Sequence, residues 1–437
     1  MRGEQTAMIR RDEHSTQTRW RIRWSGPTLP REMTYDDGTR SHSDEADPEE
    51  GLPPVVIATI LRGDGITGVD THISQLREYL EKRHRRYTLV TPFSWQRALS
   101  YPVFGLRPLV IERFNRPASV AWYLHWHEVF LRNALRQCLA RAGDCVIYTQ
   151  DPFSARAALR TRQSTQQRVI MAVHLRISMA DEWADKKQIR RDGIVFRAIR
   201  RVERETIPQV DGLVYVSKWA RDALTSWLPE AADVRSAVIG NFVAPMAAKS
   251  PIEPLGDLVT IGNLDIVKNH RYLVEVLAEA KLAGRSLSLD IFGEGPCRND
   301  LLRQARSLGV ADQVRLRGFR RDVRDFLPGY RAYVHASYSE SSSLAIMEAM
   351  AAGLPIVTAN TGPISELCDD GVEARFWPLG DPALAAGLLI DLLDDEPARL
   401  EAACAAHERF LRDHNAAVVG PELMSFLLNP TLPVPMD

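Results

Sequence analysis

The sequence predicts an α/β protein built from two doubly wound, Rossmann-like domains facing a cleft. Three observations carry this. Short, nearly continuous apolar runs alternate with helical patterns, the alternation occurs twice, and a proline-rich break separates the two series. Strands that are apolar along their whole length are buried on both faces, the condition of a parallel sheet covered by helices.

The first series comprises Val55–Leu61, Tyr87–Phe93, Cys145–Thr149, Val169–His174, Leu213–Ser217 and Ala237–Phe242. The break Ala244-Pro-Met-Ala-Ala-Lys-Ser-Pro-Ile-Glu-Pro254 reads as a linker. The second series is Leu258–Gly262, Leu287–Phe292, Val314–Gly318, Tyr333–Ala336, Ile356–Ala359 and Phe376–Leu379. The expected domains are therefore 54–243 and 255–412 around a linker at 244–254, with 413–437 as a C-terminal helix and tail packing back on the first domain. Residues 1–53 are polar, basic early and acidic late, and lack period, as a disordered tail would. Ligands of such sheets bind outside the carboxyl ends of the strands, and with two domains the natural site is the cleft between them.

Composition narrows the function. The 437 residues carry a formal net charge of -1, which gives no global attraction to nucleic acid or an anionic membrane. Five scattered cysteines without CxxC spacing suit reduced thiols in a cytoplasm and exclude a disulfide frame or zinc site. No apolar stretch reaches the length of a spanning helix, and none follows the early arginines as a secretory signal would. His125, His127 and Glu128 look like a metal cluster, but His125 and His127 do not share a helix face, and no DxD-type pair stands at a strand end. No metal and no cofactor are expected.

The chemistry concentrates in Glu340-Ser-Ser-Ser-Leu-Ala-Ile-Met-Glu348-Ala-Met-Ala-Ala-Gly353-Leu-Pro355. This stretch follows a strand and opens a helix near Ser342–Ser343, where serine hydroxyls can cap free amides. A small-residue turn at a helix N-terminus binds anions through free N–H groups and the helix dipole. Glu340 stands before the helix and Glu348 more than a turn into it. Carboxylates beside an anion site are costly unless they bind hydroxyls, which sugars supply. Read alone, the stretch fits equally an ordinary helix with a serine cap and a solvated glutamate.

Together with Ala349-Met-Ala-Ala-Gly-Leu-Pro-Ile-Val357 and Thr361-Gly-Pro-x-x-Glu366, the two glutamates resemble the retaining glycosyltransferases of family 4, which have the GT-B fold. Upstream, Ile261-Gly-Asn-Leu-Asp-Ile-Val-Lys268-Asn, Ile291-Phe-Gly293-Glu-Gly-Pro296 and Val314-Arg-Leu-Arg-Gly318 resemble further motifs of that family. So, more loosely, do Gly65-Ile-Thr-Gly68-Val-Asp-Thr-His72, Asp211-Gly-Leu-Val-Tyr-Val-Ser217 and Val238-Ile-Gly-Asn241. The resemblance implies transfer of a hexose from a nucleotide-sugar donor to a glycan, lipid-linked or small-molecule acceptor, in the cytoplasm or on the inner face of the membrane. It implies that Glu340 contacts the sugar hydroxyls and Glu348 the ribose. Amides at Ser343 and Leu344 would hold the diphosphate, Lys268 would neutralise it, and the backbone at Phe319 and Arg320 would cradle the base. Gly293 belongs to the turn beside them. Gly65 and Gly68 would let the diphosphate approach the backbone, and His174, ending a strand on the ligand edge, would reach the donor sugar. A plain turn and a satisfied edge histidine are the ordinary alternatives for these last three.

The chain departs from the family at Asn263, where relatives carry arginine. Arg271 or Arg176 would have to substitute, or the donor is held differently, or activity is reduced. Ala374-Arg375 replaces a usual glycine. In Ile189–Glu205, six arginines interleave with apolar residues. This could be a basic amphipathic helix resting on anionic lipid, or a solvated face paired with Glu203 and Glu205. Rival readings of the whole chain are a nucleotide-sugar epimerase on the same fold, which the two spaced glutamates oppose, and a non-catalytic partner subunit, which only Asn263 favours.

Overall fold

The computed structural model describes residues 52–63, 67–94, 97–107, 111–246 and 253–429. The tail expected at 1–53 lies almost wholly outside these residues, as do Gly65, the middle of the 244–254 linker and the last residues of the chain.

The first half runs β1 (Val55–Ala58), α1 (Gly68–Lys82), β2 (Tyr87–Val90), α2 (Arg97–Leu106), the single turn α3 (Glu112–Phe114), α4 (Arg116–Ala142), β3 (Cys145–Thr149), α5 (Pro152–Leu159), β4 (Gln167–Val173), α6 (Met179–Asp185), α7 (Ile194–Thr206), β5 (Gly212–Tyr215), α8 (Lys218–Trp227) and β6 (Ser236–Val238). The second runs β7 (Gly256–Ile261), α9 (His270–Leu282), β8 (Leu289–Phe292), α10 (Arg298–Ser307), β9 (Val314–Gly318), β10 (Tyr330–His335), α11 (Leu344–Ala351), β11 (Ile356–Thr358), α12 (Ile364–Leu367), β12 (Ala374–Phe376), α13 (Pro382–Asp394) and α14 (Glu396–Arg409). A π turn at Phe410–His414 leads into α15 (Ala416–Leu428).

All strand pairs are parallel, in the orders β2-β1-β3-β4-β5-β6 and β12-β11-β10-β7-β8-β9. Every residue of β1 and β3 is buried, because helices cover both faces. The strand expected at Phe376–Leu379 lies instead at Ala374–Phe376. Trp377 N–H makes the last bond across to Thr358 O, at 3.0 Å, and Pro378 has no amide with which to continue. The run 189–205 is not one helix either: α7 opens at Ile194, after Gly193.

Val243 N–H donates to His414 O at 3.0 Å and Ala416 N–H to Val243 O at 3.1 Å, so the outgoing and returning chains cross between the domains side by side. Helix α15 then joins the first domain's core, with Val419, Leu423 and Leu427 packed among Ile57, Leu76 and Ile170. Its carbonyl end is capped by guanidinium groups, Arg168 Nη2 on Leu427 O at 2.8 Å and Arg235 Nη2 on Asn429 O at 2.7 Å. Cations there satisfy the last carbonyls and oppose the helix dipole.

In each sheet the strand order reverses once, between β1 and β3 and between β7 and β10. The loops leaving carboxyl ends at these switch points line one cleft of about 500 Å³ between the domains.

Candidate active site

The wall formed by the second domain begins at the β7–β10 switch. The two exit loops are tied together: Ser337 Oγ donates to Val267 O at 3.1 Å and Tyr338 N–H to the same oxygen at 2.9 Å. This brings Lys268 against Glu340, Nζ to Oε1 at 2.6 Å. His335, the last residue of β10, places Nε2 on the same Oε1 at 2.9 Å. Both bonds fall on one oxygen, which leaves Oε2 for a ligand. Glu340 is buried. Burial alone would raise its carboxyl, but Lys268 and His335 outweigh that and hold it at about 2. The sequence reading gave Lys268 and Glu340 separate tasks; the structure couples them.

Helix α11 starts one residue after Ser343, its N-cap. The expected serine cap is absent: neither hydroxyl bonds an amide, and Ser342 Oγ and Ser343 Oγ are buried without a protein partner. The first amides of α11, at Leu344 and Ala345, border the cleft. Glu348 lies on the same helix, buried and pushed up to about 7 by burial, with Arg324 opposing the shift.

Below them the loops after β7, β8 and β9 interleave. Gly293 N–H donates to Gly318 O at 2.9 Å, and Gly293 has φ 152°. A Cβ there would lie 1.9 Å from Gly262 O, so this approach needs glycine. Asn263 and Phe319 line the cleft, and Phe319 is 45% exposed. Arg320 lines it too, but its guanidinium is committed to Asp322, at 2.7 Å and 2.9 Å, and lies over Phe326.

The opposite wall is the start of α1. Thr67 and Asp70 form a reciprocal cap, and Asp70 also accepts from Gly63 N–H at 3.1 Å, so a buried aspartate ties Gly63 to the first turn of α1. Gly68 opens the helix with nothing within 4 Å of an added Cβ, so no protein contact demands glycine there. His174 lines the cleft, with Nε2 bonded to Gln150 Oε1 at 2.9 Å and its ring edge-on to His72. Burial, then His72, lower its pKa well below the usual value, so it is neutral. It is both a satisfied edge histidine and a cleft residue.

Every candidate from the sequence except Gly65, which lies outside the described residues, thus borders one cleft: Glu340, Lys268, His174, Gly68, Asn263, Gly293, Phe319, Arg320, Ser343, Leu344 and Glu348. The proposed substitutes for the missing arginine do not. Arg176 pairs with Asp185, and neither it nor Arg271 lines the cleft; Arg77, Arg321 and Arg324 do. His335, Asp70 and Glu182 also belong to the site and were not singled out from sequence. Away from it, His127 bonds Tyr123 O at 2.7 Å, while Glu128 pairs with Arg156 and Arg160, so His127 and Glu128 are occupied separately. The basic stretch is largely self-neutralised through Arg190–Asp192, Arg191–Asp185, Arg200–Asp181 and Arg201–Glu205.

Two Rossmann-like domains that meet at such a cleft define the GT-B architecture. Residues 66–245 match the family model described as Glycosyltransferase Family 4, and residues 256–395 the model described as Glycosyl transferases group 1. The chain is a glycosyltransferase. It is similar to the glycogen synthase of Mycobacterium tuberculosis (26% identical over 308 residues, 67% of this chain and 72% of that protein). It is also similar to the D-inositol 3-phosphate glycosyltransferase of Streptomyces scabiei (39% over 122 residues, 27% of each). Among solved structures, Anabaena HepE with UDP and glucose superposes with a TM-score of 0.62 at 17% identity, covering 86% of this chain and 99% of that one. S. aureus TarM superposes with 0.57 at 16%, and the match covers 69% of this chain and 59% of TarM. Likeness at these identities establishes the fold.

Proposed function

We propose that the protein is a retaining hexosyltransferase that uses a nucleoside-diphosphate sugar. The observation that carries this is the convergence, in one interdomain cleft, of a buried ionised glutamate on a lysine and the open N-terminus of α11. The diphosphate would lie on the amides of Ser343 and Leu344, with the two unpartnered serine hydroxyls beside it and Lys268 supplying positive charge. Glu340 Oε2 would accept from a sugar hydroxyl, Glu348 from the ribose, and the Phe319–Arg320 backbone would border the base. In the reaction the bond from the anomeric carbon to the diphosphate oxygen breaks, its electron pair leaving with the diphosphate. An acceptor hydroxyl attacks from the same face, and its proton passes to the departing phosphate. The protein contributes position and fixed charge.

The same reading assigns leaving-group charge to Lys268, Arg324 and the helix dipole, without a metal or cofactor; full turnover in EDTA is the expected result. The acceptor is read as a glycan, a lipid-linked sugar or a small molecule, which fits relatives named as acting in glycogen and colanic acid synthesis. All five cysteines are free, which favours a reducing, cytoplasmic setting. Among the described residues no helix is long and apolar enough to cross a membrane. Peripheral contact would rest on Arg197 and Arg204, which stand outside the ion pairs named above for the basic stretch and line a groove of about 840 Å³ together with Asp192 and Glu205, near Ile194, which is 78% exposed. Salt-sensitive cosedimentation with anionic vesicles tests that contact. The reaction itself is tested with UDP-, GDP- and ADP-glucose, reading diphosphate release and the product's anomeric configuration by NMR. Transfer with inversion would remove the retaining mechanism, and no release from any donor would remove the reading.

A further inference from the structure

The buried histidine behind Glu340 has no part in the chemistry above, yet its contacts are specific. His335 ends β10 beside β7, at the point where the strand order reverses. Its side chain is 4% exposed, so it does not itself reach a ligand. Parallel register sets it opposite Thr358 at the end of β11, and Nδ1 meets Thr358 Oγ1 at 3.2 Å. Its carbonyl accepts from Trp377 Nε1 at 3.1 Å, and its ring lies nearly parallel to Tyr333, two residues back on the same strand face. Ring and backbone are therefore both held, and the remaining nitrogen, Nε2, points at Glu340 Oε1.

We infer that His335 is a positioning residue: it fixes the rotation of the Glu340 carboxylate so that Oε2, and not Oε1, faces the transferring sugar. Lys268 alone cannot do this. It is a flexible cation, its side chain 28% exposed, at a strand-exit loop, and a single cation leaves a carboxylate free to swing about the contact. An ionised carboxylate can only accept, so in this contact Nε2 carries the proton, and a second donor on a rigid strand converts one contact into a fixed plane. Small misplacements of a group that stabilises a transition state cost on the order of 10²-fold in rate. The inference deepens the proposed reading of the cleft and rests on it.

The test compares His335→Phe, which keeps a ring without a donor, with His335→Gln, which keeps a donor. Turnover is measured with UDP-glucose, or with whichever of UDP-, GDP- and ADP-glucose the wild type consumes. His335→Phe is expected to lower kcat roughly 10- to 100-fold while affinity for the free nucleoside diphosphate, which has no sugar for Glu340 to hold, stays within about twofold. His335→Gln should recover a large part of the loss. Turnover of His335→Phe within about threefold of wild type would overturn the inference. So would a parallel loss of diphosphate affinity, since that is what general disruption of packing would give. A substrate-free arm separates this from failure of the donor reading. In urea denaturation, His335→Phe and Glu340→Ala should be clearly non-additive, because each removes the same bond. Additive shifts would overturn the inference; a coupled pair in a protein inert to every donor would instead overturn the reading of the cleft.

Discussion

Glu348 carries the sharpest pH dependence in the site. Burial raises its carboxyl to about 7, and among the described residues no hydrogen bond compensates. If ribose hydroxyls donate to it, the ionised form binds nucleotide better, and binding lowers its pKa. Nucleoside diphosphate affinity should then rise as pH increases through about 7, with proton release on binding near neutrality. Calorimetry from pH 6 to pH 8, repeated on Glu348→Gln to subtract the ligand's own phosphate titration, reads this directly. An affinity slope that survives in the glutamine variant would place the titration elsewhere. Glu340 behaves oppositely: held at about 2 by Lys268 and His335, it stays ionised across the same range and contributes no slope.

Among the elements, α15 makes the most exacting contact. A Cβ on Gly420 would lie 2.2 Å from the ring of buried Tyr79 on α1. Gly420→Ala should therefore cost about 1–3 kcal/mol by overpacking, read as a lower urea midpoint; unchanged stability would mean that the two helices can separate freely. That α15 would return to the first domain was legible as a helical pattern beyond the second series, but the fit against Tyr79 was not, since it depends on where the two helices cross. The strands were legible for a plain reason: runs such as Cys145–Thr149 are apolar throughout, which only a doubly covered sheet explains. The cap of α11 was misread because a serine before a helix is a local signal, whereas the loop from Ser337 to Ser343 is set by its tie to Val267, some 70 residues away in sequence. For the same reason the Lys268–Glu340 pair was visible only as two separate motif positions. His335 was hidden inside an apolar run and counted as strand.

Across the whole molecule, the cleft is held at its present width by a carboxylate that crosses it. Glu366, on α12, accepts from Lys218 N–H and Trp219 N–H at 2.8 Å each, capping α8 of the other domain. Ser217 Oγ adds a bond to Ser341 O at 3.0 Å, next to Glu340. Charge-assisted bonds of this kind contribute roughly 1.5–3 kcal/mol each. Glu366→Ala should thus open the domains, raising the radius of gyration in solution scattering and lowering kcat/KM; a superimposable scattering curve would contradict a latch. The central claim, that this cleft holds a nucleotide sugar with Glu340 at the sugar and Glu348 at the nucleoside, is tested most directly by calorimetry. Binding of UDP, GDP and ADP is measured for wild type, Glu340→Gln and Glu348→Gln. The account predicts one preferred diphosphate, bound about tenfold or more weakly by Glu348→Gln as a charge-assisted contact is lost. Glu340→Gln should bind it as well as wild type or better, since Lys268 is then free for the phosphates. Equal loss in both variants, or loss confined to Glu340→Gln, would contradict the orientation, and no binding of any diphosphate by the wild type would contradict the claim itself.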